Sequence, residues 1–389
     1  MKLLVFAHTP PPHHGQSYMV QLMLDVFSTS EIRCYHVNAR FSDSMEDIGG
    51  FRLGKVWRLF GFCAQAVWQR VRHGVRDLYY IPAPGKRNAI YRDWLVLALC
   101  RPFFPRLILH WHAYGLGEWV ERRASPWEAW VTRRLYSRAD LSIVLTEFNR
   151  GDAAKLNPMR IEVVPNGIPD PCPDFEDIVL PKRMKRWKAR QSQEAPPTFQ
   201  ILFLAHCTRE KGLFETLEAV ALAHAELQAS GSLLGIRLIV AGKFMAPAER
   251  EEFEARICQP DLAIGNLGTE ARASVVSYVG FVSGQQKDQL LRDSDCLCFP
   301  TTYSGETFGL VNVEAHAYGL PLVITRWRGL PDIVSRDGVA IIEPGATADL
   351  KQALLNTISK NVFVALRSHY MERFSHHAFR FCLRKAFFF

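Results

Sequence analysis

Residues 295–326 read DCLCFPTTYSGETFGLVNVEAHAYGLPLVITR. A short apolar run ends at Pro300 and gives way to a loop rich in hydroxyl residues and glycine. A helical pattern follows across Gly309–Tyr318, and after Gly319-Leu320-Pro321 a second apolar run begins. Strands this apolar, joined through a helix, predict a parallel sheet covered on both faces. The alternation continues outward through FQILFLAH (199–206), IRLIVAGK (236–243), VSYVGFV (276–282) and VAIIEP (339–344). The first half repeats it in KLLVFA (2–7), LYYIPA (78–83), LILHWH (107–112), LSIVLT (141–146) and IEVVPNG (161–167), with helical stretches at 55–72 and 125–138. The expected fold class is α/β, with two Rossmann-like domains over 1–168 and 199–370. Residues 169–198, rich in proline and charge and carrying the basic run KRMKRWKAR (182–190), are expected to be a solvated linker with a surface excursion.

The chain has 389 residues, enough for two domains, with the apolar and charged content of a soluble globular protein. Nearly the whole of its formal charge of +8 falls in the first half. Such a balance suits an anionic partner, whether phosphate-bearing substrate, nucleic acid or membrane face, as well as an ordinary solvated surface. Nine scattered cysteines with no C-x-x-C spacing point to neither a zinc site nor a disulfide framework, and fit a reducing cytosol. The opening MKLLVFAHTP is too short an apolar run for a signal peptide, and Trp94–Cys100 stops at Arg101 far short of a spanning helix. The expectation is a cytoplasmic protein without a transmembrane segment. G-x-G-x-x-G, G-x-x-x-x-G-K-[ST] and G-x-S-x-G are all missing, which argues against dehydrogenase, P-loop and α/β-hydrolase chemistry.

Strand ends are where ligands sit in open α/β sheets. A helix starting near Phe308–Gly309 would present free N–H groups and the positive end of its dipole, a site for a diphosphate, and Gly309 would allow close approach to the backbone. Glu314 falls one or two turns into that helix among apolar residues, where an unpaired carboxylate is costly and a ribose diol would satisfy it. Glu306 precedes the helix; as a plain acid complementing the dipole it needs no further role.

Gly305-Glu306-Thr307-Phe308-Gly309-Leu310-Val311 and Glu314-Ala315-His316-Ala317-Tyr318-Gly319-Leu320-Pro321 resemble the glutamate–seven residues–glutamate motif of the GT-B retaining glycosyltransferases of family four, the glycosyl transferases group 1. The resemblance implies two Rossmann-like domains facing across a cleft, with a helix from about 371–389 returning to the first. It implies that Glu314 binds the ribose, that Glu306 contacts the donor sugar, and that Phe308, Gly309, Leu310 and Val311 border the diphosphate. FLAHCTREKG (203–212) resembles the family's phosphate loop, with Lys211 as diphosphate ligand and His206 where an arginine is usual; Arg209 is the expected second cation. Gly15 in PPPHHGQS, beside His13 and His14, matches the loop near the donor phosphate. Gly280, Phe281 and Val282 match the base-binding stretch, and VVPNGI (163–168) matches the family's exit from the first domain. Of the two histidines in LHWHAYG, His112 fits the residue near the reactive sugar better than His110. The expected catalytic set is Glu306, His112 and Lys211.

No metal and no cofactor are expected, the substrate being the nucleotide-diphosphate sugar. Asp293-Ser294-Asp295 has the D-x-D form of another glycosyltransferase fold, but here it precedes a strand where a polar turn belongs, and Lys211 with the helix dipole can compensate the diphosphate. The resemblance implies a hexosyltransferase acting with retention on a glycan or lipid-linked acceptor, in surface polysaccharide or glycolipid synthesis, with no nucleic acid. Residues 51–76 combine Val56, Phe60, Val67, Val71 and Val75 with Lys55, Arg58, Arg70, Arg72 and Arg76, a pattern for a helix on the sheet or on an anionic membrane. A nucleotide-sugar epimerase of the same fold and a non-catalytic subunit of a polysaccharide-assembly complex are the two rival readings. Arg326 and Arg328 stand where small residues are usual.

Overall fold

Apolar strands buried on both faces can pair in parallel only if every crossover carries a covering helix, and the chain obeys this throughout. A computed structural model describes residues 1–11, 15–28, 32–40, 53–191, 198–262 and 274–388, with the side chains of 53–56 left aside. His13 and His14 lie outside the described residues, as does the linker stretch 192–197. The chain divides into two units, Met1–Asn166 with Phe379–Phe389, and Gly167–Ala378.

The first unit runs β1 (Lys2–Ala7), α1 (Gly15–Ser28), β2 (Arg33–Asn38), α2 (Leu53–His73), β3 (Asp77–Tyr80), α3 (Arg87–Cys100), β4 (Arg106–Trp111), α4 (Leu116–Arg122), α5 (Pro126–Tyr136), β5 (Leu141–Val144), α6 (Glu147–Ala154) and β6 (Ile161–Val163). Its six-stranded parallel sheet has the order β2-β1-β3-β4-β5-β6. Leu4, Phe6, Leu78, Tyr80, Leu107 and Leu109 form the sheet side of a core that α2, α3 and α5 cover. Helix starts follow local chemistry: Ser125 and Glu128 form a capping box with Pro126 in the first turn of α5, and Thr146 caps α6.

The second unit runs α7 (Leu180–Gln191), β7 (Phe199–Leu204), α8 (Leu213–Ala229), β8 (Ile236–Ala241), α9 (Pro247–Ile257), β9 (Val276–Gly280), α10 (Gly284–Asp293), β10 (Cys296–Phe299), α11 (Leu310–Ala317), β11 (Leu322–Thr325), α12 (Leu330–Ile333), β12 (Val339–Ile342), α13 (Thr347–Thr357), α14 (Phe363–Arg373) and α15 (His376–Phe388). The sheet order is β12-β11-β10-β7-β8-β9, again all parallel, so its direction of winding reverses between β7 and β10. The division between the units falls within α15. Its later residues pack in the first unit, where Phe387 meets Phe27 edge-on and Arg160 donates to the Ala386 carbonyl. No helix among the described residues is long and apolar enough to cross a membrane.

Three sequence expectations need correction. The segment read as a solvated linker is largely helical: a π-turn over Phe175–Val179 leads into α7, which belongs to the second unit. Arg183, Arg186 and Arg190 fall on one helical face. Arg183 is buried and donates to the carbonyls of Tyr318 (2.9 Å), Ser294 (2.7 Å) and Leu291 (2.7 Å), while Arg186 and Arg190 pair with Asp295 at 3.1 and 2.9 Å. The buried stripe of α2 is Leu59, Cys63 and Ala66, whereas Phe60 and Val71 point to solvent. Strand β2 was not expected at all, because RCYHVN is a half-buried edge strand without a continuous apolar run.

Arg183→Met keeps much of the side chain's volume but leaves three buried carbonyls without their donor. A loss of about 3 kcal/mol or more in unfolding free energy is expected, read as a lower urea midpoint at constant m-value. An unchanged midpoint would show that α7 is not part of the unit's packing.

Candidate active site

The site is built where the second sheet reverses. Strands β7 and β10 are neighbours, and their following loops leave the same carboxyl edge in opposite directions, which opens a crevice at that point. The loops touch. Gly212 has φ +81°, and a Cβ there would lie 2.4 Å from the Pro300 carbonyl oxygen, so only glycine permits the approach. The Glu210 carbonyl accepts from Thr302 N (2.8 Å) and Thr301 Oγ1 (3.2 Å), which fastens one loop to the other.

Lys211 is thereby carried into the β10 loop. Its ammonium pairs with Glu306 and lies 4.6 Å from the Tyr303 ring centre and 5.5 Å from that of Phe299. Both charged side chains are only 13% exposed, so each depends on the other for compensation. The loop is held from β11: Thr325 Oγ1 donates to the Thr301 carbonyl at 2.5 Å and Trp327 Nε1 to the Tyr303 carbonyl at 2.9 Å. Trp327 and Tyr303 were not among the expected site residues.

Gly309, at φ +65°, caps α11, and Leu310 and Val311 stand half-buried in its first turn. Phe308 is buried with its ring edge-on to Phe374 at 5.9 Å, so its side chain is core and only its backbone borders the loop. Asn312 is fully buried on α11, and neither atom of its amide has a partner among the described residues. Glu314 is not the unpaired carboxylate that its apolar neighbours suggested: Lys287 of α10 reaches it at 2.6 Å. Lys287 lies 27 positions upstream and nothing in the local sequence signals it. The crevice thus presents two acids, each held by a lysine, on either side of a helix N-terminus.

Arg209 does not join this cluster. Its guanidinium pairs with Glu252 of α9 at 2.5 Å and lies 4.4 Å from the Phe214 ring centre. Burial, with the charges of Lys211 and Lys243 adding to it, holds the His206 imidazole below its ordinary pKa. Gly280 ends β9, with Phe281 exposed and Val282 buried beyond it. Asp295 of the D-x-D triplet accepts from Gln200 N at 3.0 Å besides its two arginines, and Asp293 accepts from Gln289 at 2.6 Å. Arg326 pairs with Glu343 at 2.7 Å, and Arg328 lies over Trp327.

Gly15 and His112 belong to the first unit. Gly15 opens α1, and His112 follows β4 half-buried, its ring centre 4.2 Å from that of His110. His110 is a core residue bonded to the Tyr79 hydroxyl, and burial, with His112 adding to it, keeps its imidazole neutral well below the usual range.

His316, two residues beyond Glu314, fixes α11 as a neutral imidazole: Nδ1 donates to the Asn312 carbonyl (2.6 Å) and Nε2 accepts from Ser335 N (3.3 Å). Burial, reinforced by His369 and Arg373, holds its pKa down to about 3 against an ordinary 6.5. Between those values the unfolded chain binds the extra proton, so this stabilisation is complete above pH 6.5 and lost as pH falls toward 3, at about 1.4 kcal/mol per pH unit. Urea unfolding near pH 5 should show a proton uptake that is smaller by about one in His316→Gln, the difference fading above pH 6.5; equal slopes near pH 5 would contradict the assignment.

Residues 185–375 match the family described as glycosyl transferases group 1. A D-inositol 3-phosphate glycosyltransferase of Pseudarthrobacter chlorophenolicus is 27% identical over 48% of this chain and 39% of its own length. The Mycolicibacterium smegmatis protein of that name is 37% identical over 29% of this chain and 24% of its own. The chain therefore spans well under half the length of these curated relatives. Among solved structures, Anabaena HepE in complex with UDP covers 100% of this chain and 99% of its own at a TM-score of 0.66 and 16% identity. Sucrose-phosphate synthase of Thermosynechococcus elongatus covers 100% and 98% at a TM-score of 0.66 and 15% identity. Residues 185–375, within the second unit, thus carry the likeness to the glycosyl transferases group 1 family, and the two parallel-sheet units have the GT-B fold.

Proposed function

We propose that the chain is a retaining hexosyltransferase. It moves a sugar from a nucleotide-diphosphate sugar to a hydroxyl of a glycan or lipid-linked acceptor, in surface polysaccharide or glycolipid synthesis at the cytoplasmic face of a membrane. The observation that carries this reading is the low-exposure Lys211–Glu306 pair at the reversal of the second sheet, beside the N-terminus of α11.

Cleavage of the sugar–phosphate bond builds negative charge on the departing diphosphate. Lys211 and the first-turn amides of α11 are already oriented to receive it, and a preorganised donor set of this kind stabilises the transition state more than the ground state. On donor binding, phosphate oxygens take the place of Glu306 against Lys211, and the freed carboxylate accepts hydroxyls of the sugar. Glu314 exchanges Lys287 for the ribose diol. With Lys211 and helix amides compensating the diphosphate, the reaction needs no divalent ion. Retention follows from attack on the face that the phosphate leaves: the acceptor oxygen bonds to the anomeric carbon, and its proton passes to the leaving phosphate. His112 orients the donor sugar, a role that rests on the family resemblance alone. The UDP bound in Anabaena HepE supports UDP-sugars as the first donors to try.

Turnover with UDP-, GDP- and ADP-hexoses is the direct test. One nucleotide series should support transfer, and Lys211→Ala should lower kcat/KM about 100-fold or more, mainly through kcat. Glu314→Gln should act mainly on the KM for donor. Transfer that survives Lys211→Ala unchanged, or release of an isomerised nucleotide sugar without transfer, would overturn the proposal.

A further inference from the structure

Helices α2, α3 and α5 lie side by side over one face of the first sheet, α2 against α3 and α3 against α5. Opposite its buried stripe, α2 carries Trp57, Phe60, Ala64, Trp68 and Val71 in steps of three and four, a single apolar line on the solvent side. Trp57 is 77% and Trp68 59% exposed. On α5, Trp127 and Trp130 are 58% and 66% exposed. Large aromatic rings left in water on neighbouring helices of one layer mark an interaction surface rather than scattered surface residues.

The charges of this layer are of one sign. The sequence of α2 contains no aspartate or glutamate. The only acids of α3 and α5 are Asp93 and Glu128, and both are buried. Asp93 accepts from Ala83 N (2.7 Å), Tyr136 (2.9 Å) and Arg92 (2.8 Å); Glu128 accepts from Arg87 (3.0 Å), Tyr91 (2.5 Å) and Ser125 (2.7 Å). The exposed charges on the three helices, among them Arg58, Arg72, Arg133 and Arg134, are therefore all positive.

Tryptophan settles at the boundary between headgroups and acyl chains, and basic residues near an anionic leaflet add electrostatic attraction. A second copy of the chain is disfavoured, because a two-fold contact would set two basic, acid-free faces against each other. We propose that the outer face of α2, α3 and α5 is a docking surface for an anionic phospholipid bilayer, with the tryptophans entering the headgroup layer. This deepens the membrane part of the function proposed above and uses no residue of the donor site, so the two stand or fall separately.

The test is co-sedimentation of the full chain with phosphatidylcholine vesicles, with and without phosphatidylglycerol, at low and high salt. Binding should require phosphatidylglycerol, weaken at high salt, and fall about tenfold or more in Trp57→Glu/Trp68→Glu. Thermal melting and turnover of soluble donor should be unchanged in that variant, since both side chains are exposed. In the unaltered protein, brominated lipids should quench tryptophan emission. Binding that is equal in the double variant, or absent from anionic vesicles, would overturn the proposal. So would a concentration-dependent dimer that the same substitutions abolish, which would assign the face to a second copy.

Discussion

The contact between Gly212 and the Pro300 carbonyl is the constraint on which the site depends. Two loops that leave adjacent strands in opposite directions would ordinarily diverge. Here the absence of a side chain at Gly212 lets them meet, and the Glu210 carbonyl, accepting from Thr301 and Thr302, holds them together. Lys211 is consequently delivered into the neighbouring loop, against Phe299, Tyr303 and Glu306. The same reversal places the start of α11 at the crevice, so that cation, carboxylate and helix N-terminus converge from two stretches of sequence, the β7 loop and the β10–α11 junction.

Charge compensation then sets the resting state. A carboxylate or ammonium that is mostly buried requires a partner. Without donor, each of the two glutamates is held by a lysine, one pair from the β7 and β10 loops and the other between α10 and α11. A nucleotide sugar supplies the matching chemistry in reverse, with anionic oxygens for lysine and hydroxyl donors for glutamate. On the proposed function, binding becomes an exchange of partners, with Lys287, a third exposed, released from Glu314 toward solvent. Asn312, fully buried in the first turn of α11, has no partner for its amide among the described residues.

Much of this was legible in the sequence wherever the signal was local. Eleven strands announced themselves as short apolar runs, because a parallel sheet covered on both faces tolerates little else. Glu306, Gly309, Glu314 and Lys211 stand at strand–loop–helix junctions that the sequence shows, and the donor-binding roles proposed for them come from the family resemblance. What escaped was set by contacts between distant segments. Lys287 has no local mark and becomes meaningful only when α10 packs beside α11. Arg209 was expected as a second cation beside Lys211, but it turns toward α9, where Glu252 pairs with it. The basic run of α7 looked solvated because composition does not reveal that Arg183, Arg186 and Arg190 share a face, or that carbonyls and Asp295 await them. Strand β2 was hidden by half-burial at an edge.

The account's central claim is that Lys211, Glu306 and Glu314 grip different parts of one donor. A crystal structure with an intact nucleotide-diphosphate sugar tests it most directly. The diphosphate is predicted on Lys211 Nζ and the α11 amides, the ribose diol on Glu314 in place of Lys287, and the hexose hydroxyls on Glu306. A nucleotide bound elsewhere, with the Lys211–Glu306 and Lys287–Glu314 pairs intact, would contradict it.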